Sequence, residues 1–199
     1  YLKAPYSTAS VARAMAGKGI WENGWGVDDR AVVDNVLAWI DTIPKGERFF
    51  AVIIPITAHY PYAIPDDVKR AFPGTAAKDR FYTAVHFLDD AFGRLDAGLQ
   101  TRGLTNDTAL IYMADHGETV AERPRASAGR RLAYEPSLHV PMVIAAPKLF
   151  DGWQKSQRIG SHVDLLPTIL DLLGLPQDPR NHGQSLLADD FAPRRIFIG

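Results

Sequence analysis

Apolar residues recur along the chain at helical spacing in some stretches and as short unbroken runs in others, and the two patterns alternate. From Asp28 to Ile43 the positions Val32, Val33, Val36, Leu37 and Ile40 predict a helix that Pro44 ends. Between Ala77 and Arg102, Phe81, Val85, Leu88, Phe92, Leu95 and Leu99 form a longer amphipathic stripe that stops at Gly103. A third helix is predicted over Val163–Leu173, interrupted early by Pro167 and closed by Gly174-Leu175-Pro176. Phe49 to Ile56 is a continuous apolar run, which predicts a strand buried on both faces. Thr108–Met113 and Val140–Ala145 read as further strands, and Arg195–Ile198 as a last one. The opening stretch to Gly26 reads as a loop-rich approach with a helical turn or two, and Thr119–Arg131 as a polar loop rich in arginine and small residues. Strands alternating with helices predict an α/β layered domain, with a central, largely parallel or mixed sheet flanked by helices. In such sheets functional residues collect beyond the carboxyl ends of strands.

Composition narrows the function classes. With 22 basic and 23 acidic side chains the net charge is -1, which excludes an electrostatic binder of nucleic acid or of anionic membrane. The longest apolar run falls far short of the roughly 20 residues of a membrane-spanning helix. The chain has no cysteine, which removes disulfides and thiolate chemistry. No repeat or low-complexity stretch divides it, so residues 1–199 read as a single, partial domain. It begins at Tyr1 rather than Met and without a signal-peptide pattern, which points to a longer precursor.

Candidate chemistry gathers where the predicted strands end. Asp115 and His116 are adjacent, directly after an apolar strand and before Gly117. A carboxylate oxygen and an imidazole nitrogen together suit a divalent cation such as Mn, Zn, Mg or Ca. Taken alone, such a pair is more often polar surface. His59 follows the first strand in Thr57-Ala58-His59-Tyr60-Pro61-Tyr62, and it reads equally as a rigid turn histidine or as a donor to an oxyanion and an acid for a leaving group. His139, before the third strand, is a weaker candidate for contact with substrate. His162 and Asp164 read as structural residues opening a helix, His86 as a helix-face residue, and the spacing of Asp178 and His182 as coincidence.

Four elements in order then carry a resemblance. Asn106-Asp107-Thr108 through Asp115-His116-Gly117-Glu118, Tyr134-Glu135-Pro136-Ser137-Leu138-His139-Val140-Pro141-Met142, Ser161 to Leu175, and Gly183-Gln184-Ser185-Leu186 are similar to motifs of the sulfatase family in the alkaline-phosphatase-like superfamily. The helix Phe81 to Gly103 is similar to another, so the likeness covers roughly residues 25–190. The resemblance implies a metal-dependent enzyme that cleaves or transfers sulfate or phosphate esters. It implies Asp115 and His116 as metal ligands and His59 as the histidine on the transferring group, with His139 carried over as substrate-binding.

The family nucleophile, a formylglycine from "C/S-x-P-x-R" or a threonine in the related phosphoglycerol and phosphoethanolamine transferases, has no counterpart here and is expected upstream of Tyr1, with the remaining metal carboxylates. The fragment alone is therefore expected to be inactive. Trp25-Gly26-Val27-Asp28-Asp29 and the His59 segment look closest to lipoteichoic-acid-synthase-like members, which implies an upstream membrane anchor and an extracytoplasmic setting. A non-catalytic remnant that binds an anion or a partner remains the alternative from another class.

Overall fold

The computed structural model describes residues 19–120, 135–192 and 194–195, which pack as two units. The first opens on a hairpin the hydrophobic pattern did not register, because two-residue strands are shorter than any periodicity. In it β1 (Glu22–Asn23) pairs antiparallel with β2 (Gly26–Val27). The Asn23 side-chain oxygen accepts from the Trp25 and Gly26 amides at 2.8 and 3.3 Å, which fixes the turn. Helix α1 (Asp29–Ile40) follows, capped by Asp28, whose carboxylate accepts from the Arg30 amide at 2.8 Å.

Helix α2 (Ala77–Thr101) matches its predicted extent but only part of its predicted stripe: Leu95 and Leu99 are buried as expected, while Val85 is 40% exposed and Ala84, Phe87 and Ala91 take the buried positions, alongside Val33, Leu37 and Ile40 of α1. The Arg30 guanidinium lies over the Phe87 ring, Arg94 pairs with Asp34 and Arg102 with Asp41. Residue numbers rise together along both helices, so α1 and α2 run parallel. Gly98 lets them approach, since a Cβ there would collide with the Leu37 side chain. Two parallel helices oblige the chain between them to travel back, as in the connections of α/β folds.

Phe49–Ile56 lies on that return, but it is not the strand the sequence predicts. It forms no ladder among the described residues, and Phe50, Val52 and Ile54 stand 51%, 73% and 71% exposed while Phe49, Ile53 and Pro55 are half-buried. A strand buried on both faces needs paired neighbours and a layer on each side, and the described residues cover one side in part. Its end is pinned. The buried Asp29 carboxylate accepts from the Ile56 and Thr57 amides and, at 2.6 Å, from the Thr57 hydroxyl. Burial pushes the Asp29 carboxyl above its ordinary value of 3.8, against these hydrogen bonds.

In the second unit β3 (Leu110–Met113) pairs antiparallel with β4 (Met142–Ala145), Leu110 opposite Ala145 and Met113 opposite Met142. Both strands fall inside their predicted ranges. The described residues contain no parallel ladder, so the largely parallel or mixed sheet of the sequence reading is not formed by them. A single turn, α3 (Glu135–Leu138), lies between the strands, and a 3-10 turn (His162–Asp164) leads into α4 (Leu165–Leu172). Pro167 does not interrupt this helix. It occupies the first turn, where an amide has no helical partner to lose, and it is buried.

Asp164 is fully buried and accepts from the Ser161 amide, the Gln184 amide and the Arg194 guanidinium. Thr168 accepts from the Leu186 amide, and Ser185 donates to Asp171. Gly183 presses against the Val163 carbonyl where no Cβ fits. The segment 183–186 is thereby stapled to α4. The predicted strand Arg195–Ile198, most of the opening stretch and most of the loop Thr119–Arg131 lie outside the described residues. Among the described residues no helix is long and apolar enough to cross a membrane.

Two stability outcomes follow from the buried carboxylates. Asp29→Ala is expected to cost about 1–3 kcal/mol in urea denaturation by stranding the Thr57 groups. Asp29→Asn removes the ionisation instead. The folded value is raised, so the ionised parent loses stability as pH rises from 3.8 through that value. The stability of Asp29→Asn relative to the parent should therefore increase over that window and then level off. Asp164→Ala is expected to cost about 3–5 kcal/mol, measured the same way, because it leaves the partly buried Arg194 without its partner.

Candidate metal and ester site

β3 delivers Ala114 and then the Asp115-His116 pair, and hydrogen bonds to its own backbone, to α3 and to His162 hold this loop. The Asp115 Oδ1 accepts from the His116 amide at 3.0 Å. The Gly117 amide donates to the Ser137 carbonyl of α3 at 2.9 Å, and His162 Nε2 donates to the Ala114 carbonyl at 3.0 Å. The motif residues identified along the sequence thus brace one another in space.

His116 Nδ1 lies 2.8 Å from the Gly117 carbonyl, which can only accept, so this nitrogen carries the proton and Nε2 carries the lone pair. That is the tautomer in which metal-binding histidines are held by a second partner. Nε2 lies 3.7 Å from Asp115 Oδ2. Two donors each about 2.1 Å from one cation at a tetrahedral angle are about 3.4 Å apart, so a small side-chain movement lets the pair share an ion. The Asp115 side chain is 90% exposed and that of His116 35%, which leaves both open to a ligand. No third His, Cys, Asp or Glu joins them among the described residues. The pair fits two positions of a metal site and leaves the others to be filled.

His59 belongs to the first unit. It is exposed on the loop after Thr57, and its Nδ1 donates to the Tyr60 carbonyl at 2.8 Å, which directs Nε2 outward. The loop is rigid: Tyr62 donates back to the His59 carbonyl, adopts φ 63 and is buried against Phe81. A left-handed tyrosine costs about 1–3 kcal/mol, a cost met by that burial. The Trp25 indole lies on the His59 ring, with centroids 3.7 Å apart. His139 is exposed in the second unit, between α3 and β4.

His86 is an exposed helix-face residue 3.6 Å from Asp90, and Asp178 is engaged by Arg180, which holds its carboxyl below the usual carboxylate range. Two contributors escaped the sequence reading. His162 supports the loop carrying Asp115, and Trp25 covers His59. Neither bond leaves a local signal, since the partners are 48 and 34 positions apart.

The sequence profile of the family named Sulfatase matches residues 4–175. The chain belongs to the sulfatase family. Members of the family generally use a divalent metal. This sulfatase chain is 33% identical over 107 residues to arylsulfatase K of Danio rerio, which covers 54% of the chain and 20% of that protein. It is 37% identical over 108 residues to arylsulfatase K of Bos taurus, covering 54% and 19%. It is 29% identical over 132 residues to N-acetylgalactosamine-6-sulfatase of Mus musculus, covering 62% and 25%. The chain therefore spans about a fifth to a quarter of the curated relatives it matches. A solved structure of a protein in the alkaline phosphatase superfamily from Vibrio parahaemolyticus superposes with TM-score 0.63 at 22% identity, over 83% of this chain and 38% of that one. That likeness shows a shared fold over the matched part.

His162→Ala in the full-length sulfatase is expected to weaken divalent-metal affinity about tenfold, in the range for removing a residue that orients a ligand. Titration with Mn or Ca measures it. His162→Gln, which can still donate to the Ala114 carbonyl, should recover most of the loss.

Proposed function

We propose that this chain supplies the C-terminal metal ligands and the ester-contacting histidine of a sulfate-ester hydrolase, acting as part of a longer protein. The observation that carries the reading is the Asp115-His116 pair at the end of β3, with the His116 tautomer set for metal binding. Asp115 and His116 would hold two positions of a divalent cation, which when bound supplies Lewis acidity and neutralises charge on the transferring group. The arylsulfatase names of the relatives favour a sulfate ester as the substrate class.

The first role of His59 is to bind an ester oxygen through Nε2. Since Nδ1 is committed to the Tyr60 carbonyl, Nε2 donates when the ring carries both protons. The same proton is then available to the leaving-group oxygen. His139 completes the proposed contacts. The nucleophile and the other metal ligands come from elsewhere in the full-length protein, and an extracytoplasmic, membrane-anchored setting of the lipoteichoic-acid-synthase-like kind goes with the motifs at Trp25–Asp29 and Thr57–Tyr62.

The test is turnover of an aryl sulfate and an aryl phosphodiester by the full-length protein, each with and without chelator. Sulfate hydrolysis abolished by chelation and restored by metal is expected. Asp115→Ala should abolish it with little loss of stability, because this exposed carboxylate bonds only within its own loop. His59→Ala should lower the rate about 10²-fold to 10⁴-fold. Preference for the phosphodiester would assign a phospho-transferase relative, activity that survives both chelation and Asp115→Ala would overturn the metal reading, and turnover of neither ester would leave the anion-binding remnant.

A further inference from the structure

Trp25 is 55% exposed, yet its indole meets the His59 imidazole with ring centroids 3.7 Å apart and planes tilted by 38°. A tryptophan left this open to water is not there to fill a core. Both rings stand on braced turns. The Asn23 side chain closes the hairpin that carries Trp25 through two bonds to its backbone. On the other side the His59 amide donates to the Ile56 carbonyl at 3.0 Å, and the Tyr62 amide donates to the His59 carbonyl at 2.8 Å. Tyr62 is in turn anchored against Phe81, and Thr57 against Asp29. The His59 turn is therefore fixed to α2 through Tyr62 and to α1 through Thr57, while the hairpin is closed at the start of α1 by the Asp28 amide donating to the Trp21 carbonyl at 3.0 Å, and the two rings meet between the two turns.

A histidine ring on an exposed loop has a broad second side-chain torsion. The Tyr60 carbonyl restrains it at a single atom, Nδ1. The indole adds a surface against one face, so the ring plane as well as the nitrogen is set. What the imidazole still presents is Nε2, which has no partner among the described residues, and its uncovered face.

We propose that Trp25 is the positioning residue for His59: its indole holds the imidazole plane so that Nε2 is aimed at the ester oxygen. This rests on the reading of His59 as the ester-contacting histidine. Trp25 acts through His59 and touches no reacting atom.

The test combines kinetics and spectroscopy on the full-length protein with Trp25→Ala, Trp25→Phe, His59→Ala and the Trp25→Ala, His59→Ala double variant. Misaiming a reacting group costs up to about 10²-fold, so Trp25→Ala is expected to lower kcat about tenfold to a hundredfold. Trp25→Phe should keep most of the rate, because a phenyl ring still covers the imidazole face. On the His59→Ala background, Trp25→Ala should cost nothing further, the non-additivity that marks residues acting as one unit. In protein with labelled histidine, the His59 ring protons should carry an upfield ring-current shift that Trp25→Ala removes and Trp25→Phe retains in part.

Losses that simply multiply in the double variant, or His59 resonances unmoved by Trp25→Ala, would overturn the positioning role while leaving the proposed function standing. Turnover untouched by His59→Ala would overturn the role assigned to His59 and this proposal with it, even where the ring-current shift shows the rings stacked.

Discussion

A carboxylate taken wholly out of water must have its oxygens engaged, and Asp164 meets that demand with the Ser161 amide, the Gln184 amide and the Arg194 guanidinium. Much of the second unit depends on this group. The Ser161 bond forms half of a capping box that sets the turn His162–Asp164. That turn aims His162 at the Ala114 carbonyl, and Ala114 is the residue before Asp115. A structural carboxylate therefore reaches the candidate metal pair through one turn, one imidazole and one carbonyl.

The four motifs are best understood as a bonded set. The loop after β3 is tied to Ser137 by Gly117 and to the start of α4 by His162. The segment 183–186 is tied to α4 and the turn before it by Asp164, Thr168 and Ser185. Most of these bonds use a backbone group on one side, so the partner motif must supply a side chain or a carbonyl at a fixed place, and the bond of Ser185 to Asp171 joins two side chains. Motifs linked in this way must appear together and in order, which is why the set identifies a family where each short string does not.

Helical periodicity made the extents of α1 and α2 legible to within a few residues, but it misplaced much of the buried face of α2, where Ala84 and Ala91 are buried and Val85 is exposed, because alanines add little to an apolar pattern. Phe49–Ile56 was misread for a physical reason. An unbroken apolar run reports that a segment is suited to burial, while burial itself depends on neighbours that the run does not encode. Pro167 was misread because a proline breaks a helix only beyond its first turn. At the site, Asp115 and His116 were legible through adjacency after a strand. The support from His162 and the cover from Trp25 arise from contacts far apart in sequence, and the tautomer of His116 from a ring orientation toward the next carbonyl that no sequence pattern encodes.

The open side of Phe49–Ile56 also bears on how this chain behaves in solution. Phe50, Val52 and Ile54 present an uncharged apolar face on backbone that no ladder occupies among the described residues. Unpaired, apolar extended backbone of this kind is in general a template for strand pairing with another molecule. Pro55 withholds one amide from any such pairing, and the charges of Lys45, Glu47 and Arg48 stand directly before the run. Charges and a proline placed this way are the features by which sequences generally limit pairing through an exposed apolar segment.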